Sequence, residues 1–216
     1  MYGSKMSIIN IFKSGQTLLN TTAVAEGLAP LLLRLYLAPV MIQAGWTKLG
    51  SFDNTADWFA SPDYGLGLPF PALMASLAIA AELLGGIFIL IGLATRWASI
   101  PLMITMLVAI FSVHWPNGWA AIADASSWMS NGTLFLNENV MSAPDKLSAA
   151  RSLLEEHGNY RWLSSSGKFV VLNNGIEFAV TYFVMLLSLF FTGGGKYTSV
   201  DYYIKQKFMP AQAKNG

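Results

Sequence analysis

Apolar residues in this chain gather into four long runs, over residues 28–50, 70–92, 97–115 and 173–194, with polar segments between them. About 20 residues at a 1.5 Å rise cover the roughly 30 Å of a bilayer's hydrocarbon, so each run predicts a membrane-spanning helix. Pro39 falls inside the first run, where it is expected to kink the helix unless neighbours satisfy the freed carbonyl. Residues 1–27 are mixed and polar, and weak helical periodicity over 8–19 leaves two readings open, a short interfacial helix and a disordered tail. Residues 51–68 read as a polar loop holding Asp53, Asp57 and Asp63 without a basic residue. Residues 116–172 read as an insertion outside the bilayer, and the apolar spacing over 145–160 predicts an amphipathic helix within it. Residues 195–216 form a basic tail with Lys196, Lys205, Lys207 and Lys214. The expected fold is all-α: a four-helix transmembrane bundle with a long extracytoplasmic loop, containing a short amphipathic helix, between spans 3 and 4.

Charge sets the orientation. The stretch before span 1 holds two Lys or Arg, the turn between spans 2 and 3 holds one and the C-terminal tail four, while the loop between spans 1 and 2 holds none. The insertion's four basic residues are offset by five acids. The positive-inside rule then places both termini in the cytoplasm of a multi-pass protein, expected in a bacterial inner membrane. Composition agrees: 54% of the 216 residues are hydrophobic and only 12% charged, against about 25% charged in soluble domains. A net charge of +1 argues against a nucleic-acid partner. Absence of cysteine removes disulfides, thiol catalysis, thiolate metal sites and iron–sulfur clusters together. No cleavable leader is expected, since the first apolar run starts only near Leu28.

Candidate chemistry lies with the ionisable residues inside the apolar runs, where a carboxylate or cation facing lipid costs several kcal/mol. Arg34 falls in span 1 and Glu82 near the middle of span 2, at depths an arginine side chain can bridge, so a structural Arg34–Glu82 ion pair is expected. Gly85 and Gly86 follow Glu82 and allow close helix approach. A second group collects at the outer ends of the spans: Lys48, His114 and Glu177, with Trp46, Trp115 and Asn117 at similar depth. Two readings stay open. Lys and Trp decorate any membrane interface and a histidine can simply cap a helix; alternatively the three form an outer-face site suited to the carbonyls of a quinone, with His114 exchanging protons. Met103 and Met106, three apart on span 3, are candidates to hold a cuprous ion with His114. Methionines in apolar helices are mostly packing.

The ordered segments LRLYLAPVMIQAGWTKLGSF, LGLPFPALMASLAIAAELLGGIFILIGLATRW and PLMITMLVAIFSVHWPNGW resemble the DoxX family of small four-helix membrane proteins. Arg34, Gly45, Lys48, Glu82, Gly86, Gly92, Thr95, Arg96 and His114 with Trp115-Pro116 carry the resemblance. The AIADASSW, VMSAPDKL, EEHGNYRWL and VVLNNGIEF segments are similar to the HvfX branch, associated with maturation of copper-binding, ribosomally made peptides. The resemblance implies a neighbourhood of membrane redox chemistry, because DoxX relatives include a subunit of an archaeal thiosulfate:quinone oxidoreductase and a membrane component of a bacterial oxidative-stress complex. The HvfX likeness adds copper stress and soluble partners that modify a peptide. No catalytic residue carries over.

Two functions follow as expectations. One is an accessory redox component of the inner membrane that interacts with quinone. The other is a non-enzymatic scaffold or export partner for a copper-binding peptide and its modifying enzymes, favoured by the long insertion. A solute carrier has little behind it, since four spans without internal repeats offer no alternating-access design. Membrane lipid is the expected surrounding, and four helices leave enough lipid-facing surface for a homodimer.

Overall fold

The computed structural model describes residues 3–209. Among these residues regular structure is helical, and extended pairing is limited to isolated antiparallel bridges, Ile122 with Leu172 and Asn131 with Leu136. From the N-terminus, α1 (Gly3–Thr21) leads through a 3-10 turn (Thr22–Ala25) into α2 (Leu28–Gly50). The short α3 (Phe52–Ala60) precedes α4 (Pro71–Ile91). Helix α5 (Thr95–Val108) runs on into a π turn (Ala109–His114) and a 3-10 turn (Trp115–Asn117). Next come α6 (Glu138–Met141), α7 (Ala143–His157) and α8 (Tyr160–Leu163), then α9 (Glu177–Thr192) and α10 (Val200–Phe208).

Three helices are long and apolar enough to cross a membrane: α2, α4 and the continuous run Thr95–Asn117. The fourth apolar run differs from expectation. It is helical only over the 16 residues Glu177–Thr192, about 24 Å at helical rise. It starts late because residues 173–177 give their backbone N–H groups to the carbonyls of Gly118, Trp119, Ala120 and Ala121 instead of to a helix. It stops at Gly193, whose φ of 76° leaves the helical region.

Two compact units are distinguished. The first comprises the chain up to Phe52, Ala75–Leu102 and the chain from Met185 onward. Burial along α2 recurs at Arg34, Leu37, Ala38, Met41 and Gly45, and along α4 at Ala75, Ile79, Glu82, Gly85, Gly86 and Ile89, each a single helical face. The two faces meet through glycine. A Cβ on Gly86 would lie 2.7 Å from Ile42 Cγ1, and one on Gly45 would lie 2.8 Å from Leu83 Cγ. Gly85 opposes Leu102 of α5 in the same way, at 3.1 Å. Such small-residue contacts let apolar helices associate by close packing where lipid supplies no hydrophobic drive. Helix α2 continues through Pro39 without interruption.

The second unit comprises Asp53–Met74 and Met103–Val184. Its buried apolar residues are Phe59, Met106, Ile110, Ala120, Ala121, Val140, Ala143 and Ala179. Residues 52–60, read from sequence as loop, form α3, which buries Phe59 and is tied by Leu68 N–H to the Phe59 carbonyl at 2.8 Å. Helix α7 buries Ala143 and leaves most of its length exposed. Of the two readings for residues 8–19, the structure has helix, with Ile8, Phe12 and Leu19 exposed. The basic tail is helical over α10, and Lys214 lies outside the described residues.

Candidate functional site

The buried carboxylate of α4 finds its cation on α2. Glu82 is 5% exposed at its side chain, and both its oxygens accept from Lys48 Nζ, at 2.8 and 2.6 Å. Gly45, one turn before Lys48, makes the approach: a Cβ there would lie 3.0 Å from Glu82 Cβ. The expected Arg34–Glu82 pair is therefore replaced by Lys48–Glu82. Depth in the sequence sets Lys48 at the outer end of span 1, apart from Glu82, so this pairing was not expected; Arg34 instead takes a different set of acceptors.

Arg34 is 1% exposed and ties together three chain segments of its unit. Its Nη1 donates to the Leu90 carbonyl at 3.2 Å, and its Nη2 to the Thr198 carbonyl at 2.7 Å. The Leu90 carbonyl is one of the last of α4, left without an intrahelical partner by the helix end. That end is a Schellman turn, with Leu93 N–H on the Phe88 carbonyl, Gly92 N–H on the Ile89 carbonyl and Gly92 at φ 70°. A Cβ on Gly92 would collide with Arg34 Nη1. Across the turn, Asp201 accepts the N–H of Ala94 at 2.6 Å and of Thr95 at 2.9 Å, capping α5. Neither Asp201 nor Thr198 was singled out from the sequence. The legible signal was Ser199 followed by Asp201, the pattern of a helix start, in a stretch otherwise read as tail.

His114 and Glu177 belong to the second unit, where both fasten one junction. The π turn delivers His114 so that Nδ1 lies 2.9 Å from the Asn174 carbonyl. A carbonyl only accepts, so Nδ1 carries the proton in this contact and the neutral ring keeps its acceptor lone pair on Nε2. Asn117 Nδ2 donates to the same carbonyl at 3.0 Å, and Asn173 Nδ2 donates to the carbonyls of Asn117 and Ala120 at 2.8 and 2.6 Å. Asn174 has φ 58°, which asparagine tolerates better than most residues. Glu177, first residue of α9, accepts the Ala121 N–H at Oε2, 3.0 Å, and lies where a negative charge favours a helix N-terminus. Gly175 is required here, since a Cβ would come within 2.5 Å of the Trp119 and Ala120 carbonyl oxygens. A π turn inside an α-helix is frequent at functional positions and re-aims the side chains that follow it.

The three residues of the expected outer-face group thus have different partners: Lys48 has Glu82, while His114 and Glu177 share the junction of residues 117–121 with 173–177. Met103 and Met106 precede His114 on one continuous helical run, by about 16 and 12 Å of helical rise. That separation keeps them out of a common ligand set with His114. Among the described residues no group of three or more His, Cys, Asp or Glu converges as a metal site.

A family model described as DoxX matches residues 29–115. A Bacillus subtilis protein named "Putative oxidoreductase CatD" is 34% identical over 83 residues, covering 38% of this chain and 58% of that one. An uncharacterized Haemophilus influenzae protein is 28% identical over 100 residues, 44% of this chain and 64% of that one. The chain therefore spans less than two thirds of the length of these curated relatives. No solved structure matches the chain significantly. The DoxX match, from the start of α2 to Trp115, contains Arg34, Lys48, Glu82 and His114 and leaves Glu177 and the insertion outside it.

Proposed function

We propose that this protein is a four-span, DoxX-like accessory redox component of the bacterial inner membrane that interacts with quinone, of the HvfX-like kind that serves copper-peptide maturation or the stress response. In this reading both termini face the cytoplasm, α9 is the fourth crossing, and the flanking residues 173–176 and 193–194 make up its length. The DoxX match and the oxidoreductase name of the Bacillus relative support the redox assignment. The single observation that carries the site is His114, held through Nδ1 by the Asn174 carbonyl with Nε2 left as acceptor.

The donor set fits a quinone in one part. Nε2 of neutral His114 would accept from a quinol hydroxyl, and Nε2 of the protonated ring would donate to a quinone carbonyl, so one atom would serve both forms. Bound there, a quinone would supply two-electron, two-proton chemistry. The Asn174 carbonyl, also held by Asn117 Nδ2, fixes the proton on Nδ1, and Glu177 secures the junction through Ala121. Lys48 and Glu82 brace α2 against α4. The copper reading finds less support, because Met103 and Met106 are remote from His114 along the helix.

The test is titration of a short-chain ubiquinone analogue into detergent-purified protein, followed by quenching of tryptophan fluorescence, with Trp115 adjacent to His114. Saturable quenching that weakens by roughly three- to tenfold in His114→Ala supports the site, as loss of one hydrogen bond predicts. Equal titrations for wild type and variant would sink it.

The scaffold reading draws on a different observation. Trp128, Leu134, Phe135, Leu136, Trp162 and Leu172 are all more than 60% exposed in the insertion, the kind of apolar surface that partner proteins cover. Replacing residues 145–160 by a short linker discriminates: lost co-purification of modifying enzymes with quinone binding intact favours the scaffold, and the reverse favours the redox component.

A further inference from the structure

The first unit contains a cavity of about 360 Å³ beside the α4–α5 turn, within the size range of small-molecule sites. Its charged lining is Arg96, Lys196, Lys205 and Asp201. Asp201, whose carboxylate two backbone N–H groups hold, offsets one of these charges, and the lining keeps a positive balance. Lys196 pairs with Glu26 at 2.6 Å, and this contact holds its ammonium above the ordinary lysine range, so it stays charged at physiological pH. Arg96 donates through Nη2 to the Phe191 carbonyl at 2.8 Å, which fixes its guanidinium at the cavity wall. The floor is the turn Gly193–Gly195, with φ of 76° at Gly193 and 91° at Gly195, a backbone shape open to close approach by an anion. At the rim, Trp97 is 77% exposed near the start of a helix long and apolar enough to cross a membrane, the position favoured by aromatic residues at the headgroup level.

We propose that this cavity binds the phosphate-bearing headgroup of an anionic phospholipid, with Arg96, Lys196 and Lys205 around the phosphate and Trp97 against the start of the acyl chains. Basic pockets between membrane helices on the cytoplasmic side bind such headgroups. The volume suits a glycerophosphate group better than a bare ion, and the exposed Trp97 suits a ligand with an apolar end. His114 is not among the lining residues, and the proposal does not depend on the redox reading. Its bound lipid would pin the α4–α5 turn to the segment after α9, the same junction that Arg34 and Asp201 hold from within.

The experiment is native mass spectrometry of the full chain in detergent, titrated with dioleoyl-phosphatidylglycerol, with dioleoyl-phosphatidylcholine, or with phosphatidylglycerol plus millimolar inorganic phosphate. Lys205→Glu removes a lining charge that the fold does not use, and Lys207→Glu makes the same charge change on the same helix outside the cavity lining. The expected result is a single phosphatidylglycerol adduct, favoured over phosphatidylcholine, weakened about tenfold or more by Lys205→Glu and nearly unchanged by Lys207→Glu. Phosphate then competes poorly. Equal losses in both variants would assign the binding to general surface charge and overturn the site. Equal binding of the two lipids, or complete displacement by inorganic phosphate, would overturn the anionic lipid as its ligand.

Discussion

Lys48→Met tests the buried ion pair at its most vulnerable point. The substitution keeps the length and apolar stem of the side chain but leaves the Glu82 carboxylate, 5% exposed, without its ammonium. Removing one partner of a buried pair costs about 3–5 kcal/mol, because the remaining charge stays desolvated. The Lys48 side chain is 30% exposed, so some solvent reaches the pair and the lower end, about 3 kcal/mol, is expected. By the conversion for domains of this size, that is a fall in Tm on the order of 10 °C. The converse change should be milder. Glu82→Gln retains an acceptor for Lys48, and the partly exposed ammonium can move toward water, so about 1–2 kcal/mol is expected. The double variant should then lose less than the sum of the two, since the stranded carboxylate is gone. Thermal unfolding in one detergent, followed by intrinsic fluorescence across the four proteins, measures all three relations. A Lys48→Met protein within about 0.5 kcal/mol of wild type, or fully additive losses, would refute the pair as described.

Further outcomes follow from the turns around it. Gly92→Ala should cost about 1–2 kcal/mol for the left-handed backbone alone, and more because its Cβ meets Arg34 Nη1; thermal unfolding reads the loss, and a neutral variant would contradict the geometry. Asp201→Ala removes two caps from α5 and should cost about 1–2 kcal/mol, with faster amide exchange at Ala94 and Thr95, while Asp201→Asn recovers part of it. Gly175→Ala forces the junction of residues 118–120 with 173–177 apart, at about 1–3 kcal/mol, and should weaken quinone-analogue binding along with His114→Ala. Unchanged binding in Gly175→Ala would separate His114 from that junction.

Helix positions were largely legible because apolar runs of bilayer length have few other readings. The first three runs form helices over Leu28–Gly50, Pro71–Ile91 and Thr95–Asn117, near their expected limits, and the DoxX match falls across the same segments. Partners were less legible. Depth along a helix is set by sequence number, but facing is set by which helices approach, and the Gly45 contact that brings Lys48 to Glu82 is a tertiary fact. Arg34 was expected to seek a carboxylate, whereas its Nη1 and Nη2 donate to the backbone carbonyls of Leu90, freed by a helix end, and of Thr198, acceptors that every residue carries and no motif marks. Asp201 escaped notice for a related reason: it serves a helix more than 100 residues away in sequence. His114 and Glu177 were found because ionisable groups in apolar runs are rare, yet their connection runs through Asn174, Asn117 and Ala121, polar and backbone groups within segments read as loop or as span ends.

The central claim, a quinone-interacting membrane component with His114 at its site, is tested most directly by what the protein carries out of the membrane. Wild type and His114→Ala would be purified in mild detergent, extracted with organic solvent and assayed for quinone by mass spectrometry, with copper measured on parallel samples. The account predicts near-stoichiometric quinone in the wild type and its loss in the variant, with the variant inserted and folded. Equal quinone in the two proteins, or none above the detergent blank in either, would contradict it.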